Sequence, residues 1–354
     1  MKRARYERKS QGETGGHPLS LFKRWNLALK GCNVPEVERA DAVSRWLVIS
    51  RACVLSMTAS SALIGILLAA GRGAAGRPEI FWPGAVLALL GLLAAHASNN
   101  LLNDWTDSRR GVDTEDYPRA RYSVHPILGG LTTLRGLLRA ALLLLAFDAL
   151  VMIVLTLLSG WPILVFSAAG LGLSLAYTGF LKRFALGELA SLVVWGPLMI
   201  AGTAFAASAQ WQPLDLLVSL PYGLVVASVL VGKHIDKLEA DRAAGIRSLP
   251  VVLGERAARG LNKGLFILFY ALVIALVATG IAGPGILLAL LSAIRLVKTW
   301  RVYSKPRPEQ PPENWPVWPL WYVGWAMYVN RLAGMLFVAG LVVDLIFQAV
   351  GVGG

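Results

Sequence analysis

Residues 81–107 read FWPGAVLALLGLLAAHASNNLLNDWTD. The 22 predominantly apolar residues near 81–102 are enough to cross a bilayer as a helix. The stretch then runs straight into amides and acids. Asn100, Asn103, Asp104 and Asp107 follow at i, i+3, i+4 and i+7, which is one face of a continuing helix. Acids at a helix C-terminus oppose the backbone dipole. At a membrane helix end they are costly unless they face water, a pocket or a cation. Carboxylates and amide oxygens in this arrangement suit Mg²⁺, which takes one or two carboxylates together with substrate phosphates.

The rest of the chain agrees with a membrane setting. Of its 354 residues, 56% are hydrophobic and 16% charged, with mean hydropathy +0.58. Ordinary soluble domains carry about 45–50% apolar and about 25% charged residues. Disorder, collagen and coiled coil are excluded on the same grounds. Apolar stretches of spanning length recur near 47–71, 136–158, 161–178, 186–209, 213–232, 263–282, 284–300 and 328–349. With 81–102 they predict an all-α protein of nine transmembrane helices. Residues 1–46 read as a basic, partly disordered cytoplasmic arm ending in a short interfacial helix, and residues 47–354 as the membrane domain. No signal peptide is evident. Cys32 and Cys53 lack metal-ligand spacing and suggest no disulfide framework.

The net charge of +13 would suggest nucleic acid in a soluble protein, but its distribution gives it a topological meaning. With the N-terminus inside, the inner segments hold 26 Lys and Arg, and the outer ones only Arg72 and Arg77. Basic residues collect on the cytoplasmic side, so the N-terminus is expected inside the plasma (inner) membrane and the C-terminus outside. The two loops rich in acids, 103–134 and 233–262, then share the cytoplasmic face.

Asn103-Asp104-x-x-Asp107-x-x-x-Gly111-x-Asp113-Thr114 resembles the first aspartate-rich motif of the UbiA superfamily of intramembrane prenyltransferases. Its Gly-x-Asp-Thr ending is most similar to the 1,4-dihydroxy-2-naphthoate polyprenyltransferases of menaquinone synthesis. Glu239-Ala-Asp241-Arg-Ala-Ala-Gly245-x-Arg247-Ser-Leu-Pro250 resembles the second motif, usually Asp-x-x-x-Asp. Asp241 matches its second acid. Lys237 stands where the first would be, and Asp236 lies one residue early. On a regular helix Asp236 and Asp241 would point about 140° apart. Local unwinding, substitution by Glu239 or a water, or direct phosphate contact from Lys237 would each accommodate this.

The resemblance covers residues 45 to 349. It implies a UbiA-like bundle around a central cavity open to the cytoplasm, with Mg²⁺ as cofactor and a polyprenyl diphosphate and an aromatic small molecule as partners. Asn103, Asp104, Asp107, Asp113, Asp236 and Asp241 become the implied metal ligands. Arg119, Arg121, Lys182, Arg183 and Arg247 become cations for the diphosphate. Arg51, Lys182 and Lys237 are implied at the reacting groups. His125 occupies a position where many relatives have Arg. Asp148, Arg295, Arg331 and Asp344 are assigned to no site, and Trp315, Trp318, Trp321 and Trp325 read as an interfacial belt.

The implied reaction moves a polyprenyl group to an aromatic ring. Alternative acceptors are 4-hydroxybenzoate, homogentisate, a chlorophyllide or a lipid precursor. A nine-helix transporter and a non-catalytic lipid-binding relative are the readings outside that reaction. Transporter sites usually lie near the midplane, whereas these acids sit at helix ends.

Overall fold

The computed structural model of the chain describes residues 19–72, 80–112, 114, 118–179, 181, 184–313, 315 and 317–351, with only the backbone at 119, 175 and 177–179. Among them every regular element is helical. The elements are α1 (Leu21–Gly31), α2 (Ala42–Ile49), α3 (Leu55–Arg72), α4 (Trp82–Arg109), α5 (Pro118–Tyr122), α6 (Leu134–Ser159) and α7 (Pro162–Gly179). Then follow α8 (Gly187–Val193), α9 (Met199–Ser208), α10 (Leu214–Asp236), α11 (Leu238–Ala243), α12 (Leu249–Leu253), α13 (Glu255–Ala278), α14 (Ala293–Tyr303) and α15 (Tyr322–Ala349).

Seven of the described helical stretches are long and apolar enough to cross a membrane: Ala52–Arg72, Trp82–Arg109, Leu134–Ser159, Gly187–Ser208, Leu214–Asp236, Glu255–Ala278 and Tyr322–Ala349. The other two expected spans are helical but different in kind. The apolar part of α7 is shorter, Pro162–Ser174. The stretch near 284–300 begins as a 3-10 helix, Pro284–Ser292, and only then becomes α14. At about 2.0 Å per residue in the 3-10 part and 1.5 Å in the α part, that pair still extends roughly 34 Å.

Small residues let these helices touch backbone to backbone, as membrane helices favour. A side chain at Gly340 would strike Gly285, and one at Gly65 would strike the carbonyl of Ile200. Asp344 ties the same seam, accepting from Gly285 N at 2.7 Å at the start of the 3-10 helix. The largest core cluster joins α3, α10, α13 and α15 through Tyr222, Phe266, Phe269 and Phe337, all essentially inaccessible.

The N-terminal segment is more built than its composition suggests. Ser20 caps α1 and Asp41 caps α2, the latter accepting from Ser44 N at 2.9 Å and Ser44 Oγ at 2.6 Å. Those bonds hold the Asp41 carboxyl down at about 2. Ala28, Val34, Val37 and Val48 bury against Val124 and Leu131. Cys32 and Cys53 form a disulfide, which corrects the reading of them as unpaired in structure. Their 21-residue separation gave no hint of it.

The first span is also interrupted. Arg51 takes a left-handed conformation, φ 56° and ψ 48°, between α2 and a short 3-10 turn, Ala52–Val54. A non-glycine residue held there signals a constrained position, often at a functional site.

Candidate functional site

A cavity of about 1310 Å³ runs along the inside of the bundle. Helix α4 shows its logic. Its lining residues recur at helical spacing, from Ala88, Gly91 and Ala95 through Asn99 and Asn103 to Asp107 and Arg110. That stripe is about 33 Å long at 1.5 Å per residue. It is small and apolar at one end and charged at the other. Val151, Leu155, Ile163, Phe166 and Ala206 close the apolar end. Val226, Val229, Lys233, Lys237 and Asp241 repeat the same gradient on α10 and α11.

The acids expected on one face of α4 divide between two tasks. Asn103 and Asp107 line the cavity. Asp104 is fully buried and ion-paired with Arg51. Asn100 donates to Ser50 O at 3.0 Å. These two residues therefore grip the turn at Ser50–Arg51 from beside the cavity. Asp104, expected among the metal ligands, is placed against the Arg51 guanidinium. Arg51 itself lines the cavity, as expected for a residue near the substrates.

The second acidic cluster is rearranged by a break in the helix. α10 ends at Asp236, Lys237 leaves helical geometry at φ −103° and ψ 7°, and α11 starts at Leu238. Asp236 turns away from the cavity and caps the last helix, accepting from Tyr322 N and Val323 N, each at 2.9 Å. Asp236, expected as a metal ligand, is thus placed at the start of the last helix. A carboxylate accepting two backbone N–H groups is already satisfied as an N-cap. Asp241 does line the cavity, with Lys237 Nζ 3.5 Å from its Oδ1.

Of the expected cations, Arg121 and Arg247 are exposed and outside the lining. Asp113, Lys182 and Arg183 lie outside the described residues, as does the side chain of Arg119. His125 is a turn builder: its Nδ1 accepts from Ile127 N and Leu128 N at 3.2 and 3.3 Å.

Several lining residues carried no assignment in the sequence. His234 Nδ1 lies 2.6 Å from Glu188 Oε1, which also accepts from Leu249 N. The i, i+3 spacing of His234 and Lys237, with Lys233 one turn before Lys237, was the available signal. Deeper, His96 and Trp195 both meet Thr58 Oγ1, at 2.7 and 3.0 Å. Trp195 sits in a π-helical turn, Val194–Leu198, containing Pro197, the kind of bulge that often marks a functional position. Trp315 and Trp325 stack at 5.8 Å and line the cavity, as do Asp148, Arg295 and Arg331. Two of the four tryptophans therefore form part of the cavity wall. Lys30, Gly31 and Cys32 line it as well, so the N-terminal segment is part of the site's enclosure.

Asn103, Asp107 and Asp241 are hard oxygen donors at one end of one cavity, as Mg²⁺ with a phosphate ligand requires. Among the described residues no three His, Cys, Asp or Glu cluster closely enough to hold an ion alone.

Among the described residues, an all-helical bundle with acids at one end of a long, largely apolar cavity suits a lipid with a charged head. The chain belongs to the UbiA prenyltransferase family, whose sequence pattern matches residues 58–322. It is an enzyme, a prenyltransferase. It is 32% identical over 202 residues to the 1,4-dihydroxy-2-naphthoate octaprenyltransferase of Mycobacterium tuberculosis, spanning 55% of this chain and 67% of that protein. It is 26% identical over 218 residues to the Bacillus subtilis protein of the same name, spanning 59% and 68%. A solved UbiA homologue from Aeropyrum pernix K1 superposes with TM-score 0.62 at 20% identity, covering 82% of this chain and 98% of the other. One from Archaeoglobus fulgidus, bound to GPP and Mg²⁺, gives 0.52 at 16%, covering 81% and 99%.

Proposed function

We propose that the protein transfers a polyprenyl group from its diphosphate to 1,4-dihydroxy-2-naphthoate, as a membrane-embedded step in menaquinone synthesis. The observation that carries this reading is the graded wall of α4, with Asn103 and Asp107 at one end and a long apolar lining behind them. Asn103, Asp107 and Asp241 would hold Mg²⁺, with Asp113 added by the family resemblance. Bound there, Mg²⁺ supplies charge neutralisation that makes diphosphate a better leaving group.

The chain's own residues do the remaining work. Lys237 and Lys233 reach the same end of the cavity and would offset diphosphate charge. Arg51, fixed by Asp104, would face the acceptor. Small residues such as Gly91 and Ala95 leave room for an isoprenoid tail, and the apolar lining excludes water that would quench an allylic cation. In the naphthoate branch the ring carboxylate leaves as carbon dioxide.

The reading includes nine helical passes, a mouth open to the cytoplasm, and an N-terminus inside the plasma membrane. The asymmetry of Lys and Arg supports that orientation. The test is prenyl transfer by the reconstituted protein with Mg²⁺, offering dihydroxynaphthoate and 4-hydroxybenzoate in parallel. Prenylated, decarboxylated naphthol is expected. Product from hydroxybenzoate alone would overturn the acceptor assignment.

A further inference from the structure

Beside the acid-lined mouth, the cavity wall carries a second group of charges that the transfer reaction does not use. Lys30 lies at the end of α1, Arg295 and Lys298 one turn apart on α14, and Arg331 nine residues inside α15. All four line the cavity, and none pairs with an acid among the described residues.

The two arginines are held in place by backbone, which leaves most of their donors for something else. Arg331 spends Nη2 on the carbonyls of Lys30 and Cys53, at 2.9 and 3.1 Å. Arg295 spends Nη1 on Tyr328 O at 2.6 Å, with its guanidinium 4.2 Å from the centre of the Tyr328 ring. Arg331 follows Tyr328 by three residues, so both guanidinium groups occupy the same side of α15. Each has five N–H donors. A residue that only anchors a helix at the interface extends toward water. Arg331 instead points into the fold, at the junction of α1 with the start of the first span. Arg331 lies within a stretch long and apolar enough to cross a membrane, Tyr322–Ala349, and an arginine there without an acidic partner marks a ligand or pathway.

The surroundings specify the ligand's other half. Ile294, Val297 and Met335 are 73%, 56% and 64% exposed beside the cations, and Tyr328 is 38% exposed. Such a surface meets acyl chains.

We propose that Lys30, Arg295, Lys298 and Arg331 form a binding site for the phosphate head of an anionic amphiphile, at the seam between α1, α14 and α15. Phosphate matches the arginine fork, and the flanking apolar residues take the tail. The amphiphile is an anionic phospholipid of the bilayer or a prenyl diphosphate held outside the mouth. The site stands independently of which aromatic acceptor the enzyme uses.

The test is equilibrium binding to the purified full-length protein in detergent, in EDTA so that no divalent cation assists the mouth. The probes are phosphatidylglycerol, phosphatidylcholine with the same chains, farnesyl diphosphate and inorganic phosphate. Phosphatidylglycerol or farnesyl diphosphate is expected to bind more tightly than phosphatidylcholine. Arg295→Gln is expected to weaken that binding about fivefold, the scale of one cation near an anionic head. Lys298→Gln, at an exposed residue with no hydrogen bond or ion pair among the described residues, should do the same without affecting folding. Which of the two anionic probes responds identifies the source of the phosphate. Equal binding of phosphatidylglycerol and phosphatidylcholine with no response from farnesyl diphosphate, or variants with unchanged affinity, would overturn the site. Inorganic phosphate binding as tightly as the amphiphiles would overturn the tail half of the proposal.

Discussion

Helices α4 and α10 both bring acids to the charged end of the cavity, and they end in opposite ways. α4 runs unbroken past Asp107 to Arg109, so its face keeps helical register and Asn103 and Asp107 stay aligned with the lining. α10 stops at Asp236, and the chain turns at Lys237 before α11 begins. The break frees Asp236 to cap α15 and carries Asp241 back to the cavity. An acid near a motif position is thus a ligand candidate only if no backbone N–H group claims it first. On α4 the same sorting occurs without a break, since Arg51 claims Asp104 and leaves Asp107 to the cavity.

The largest effect should come from the α4 side. Asp107→Ala is expected to lower turnover about a thousandfold, the scale of losing a preorganised electrostatic contact in a closed site. Its thermal stability should stay near that of the parent. Near-normal turnover would break the comparison at its stronger end.

Next comes the clamp that holds Arg51 against α4. Replacing Cys32 and Cys53 by Ser removes a cross-link that closes a loop of about 20 residues, and is expected to cost about 3 kcal/mol of stability, read from thermal unfolding. Removing residues 1–40 takes away this link and three lining residues. Activity should fall with it.

Asp236→Ala should expose the difference between cap and ligand. Two buried N–H groups lose their acceptor, at a cost of about 1–2 kcal/mol. The Mg²⁺ concentration needed for half-maximal activity should not move. A raised Mg²⁺ requirement would return Asp236 to the metal.

The smallest effect is expected at Asp41. Its folded pKa, about 2, lies below the ordinary 3.8. The cap therefore contributes fully above about pH 4 and is lost as the pH falls toward 2. Trp25 Nε1 lies 3.5 Å from Asp41 Oδ1, so tryptophan fluorescence should follow that loss. Asp41→Asn should remove its pH dependence.

Most of the helices were legible because spanning length and apolar content are local properties. The stripe Asn103–Asp107 was legible for the same reason: helical register can be counted along the chain. Asp236 as a cap was not, since its partners Tyr322 and Val323 lie 86 and 87 residues away. The helix break at Lys237 could be anticipated only as one of several ways to reconcile Asp236 with Asp241. The N-terminal enclosure was hidden by its own composition. A basic, polar segment resembles a solvated arm until Ala28 and Val48 meet Val124 and a disulfide closes the fold. Arg51 was legible through the family resemblance, but the left-handed turn that aims it is held by Asn100 and Asp104, half a hundred residues on.

Prenyl diphosphate binding in the presence and absence of Mg²⁺ tests the division between α4 and α10 most directly. It should be measured by calorimetry on the parent protein, Asp107→Ala and Asp236→Ala. The parent and Asp236→Ala are expected to bind more tightly when Mg²⁺ is added, whereas Asp107→Ala should lose that gain. A gain that survives in Asp107→Ala and disappears in Asp236→Ala would contradict the assignment of the metal to the α4 face.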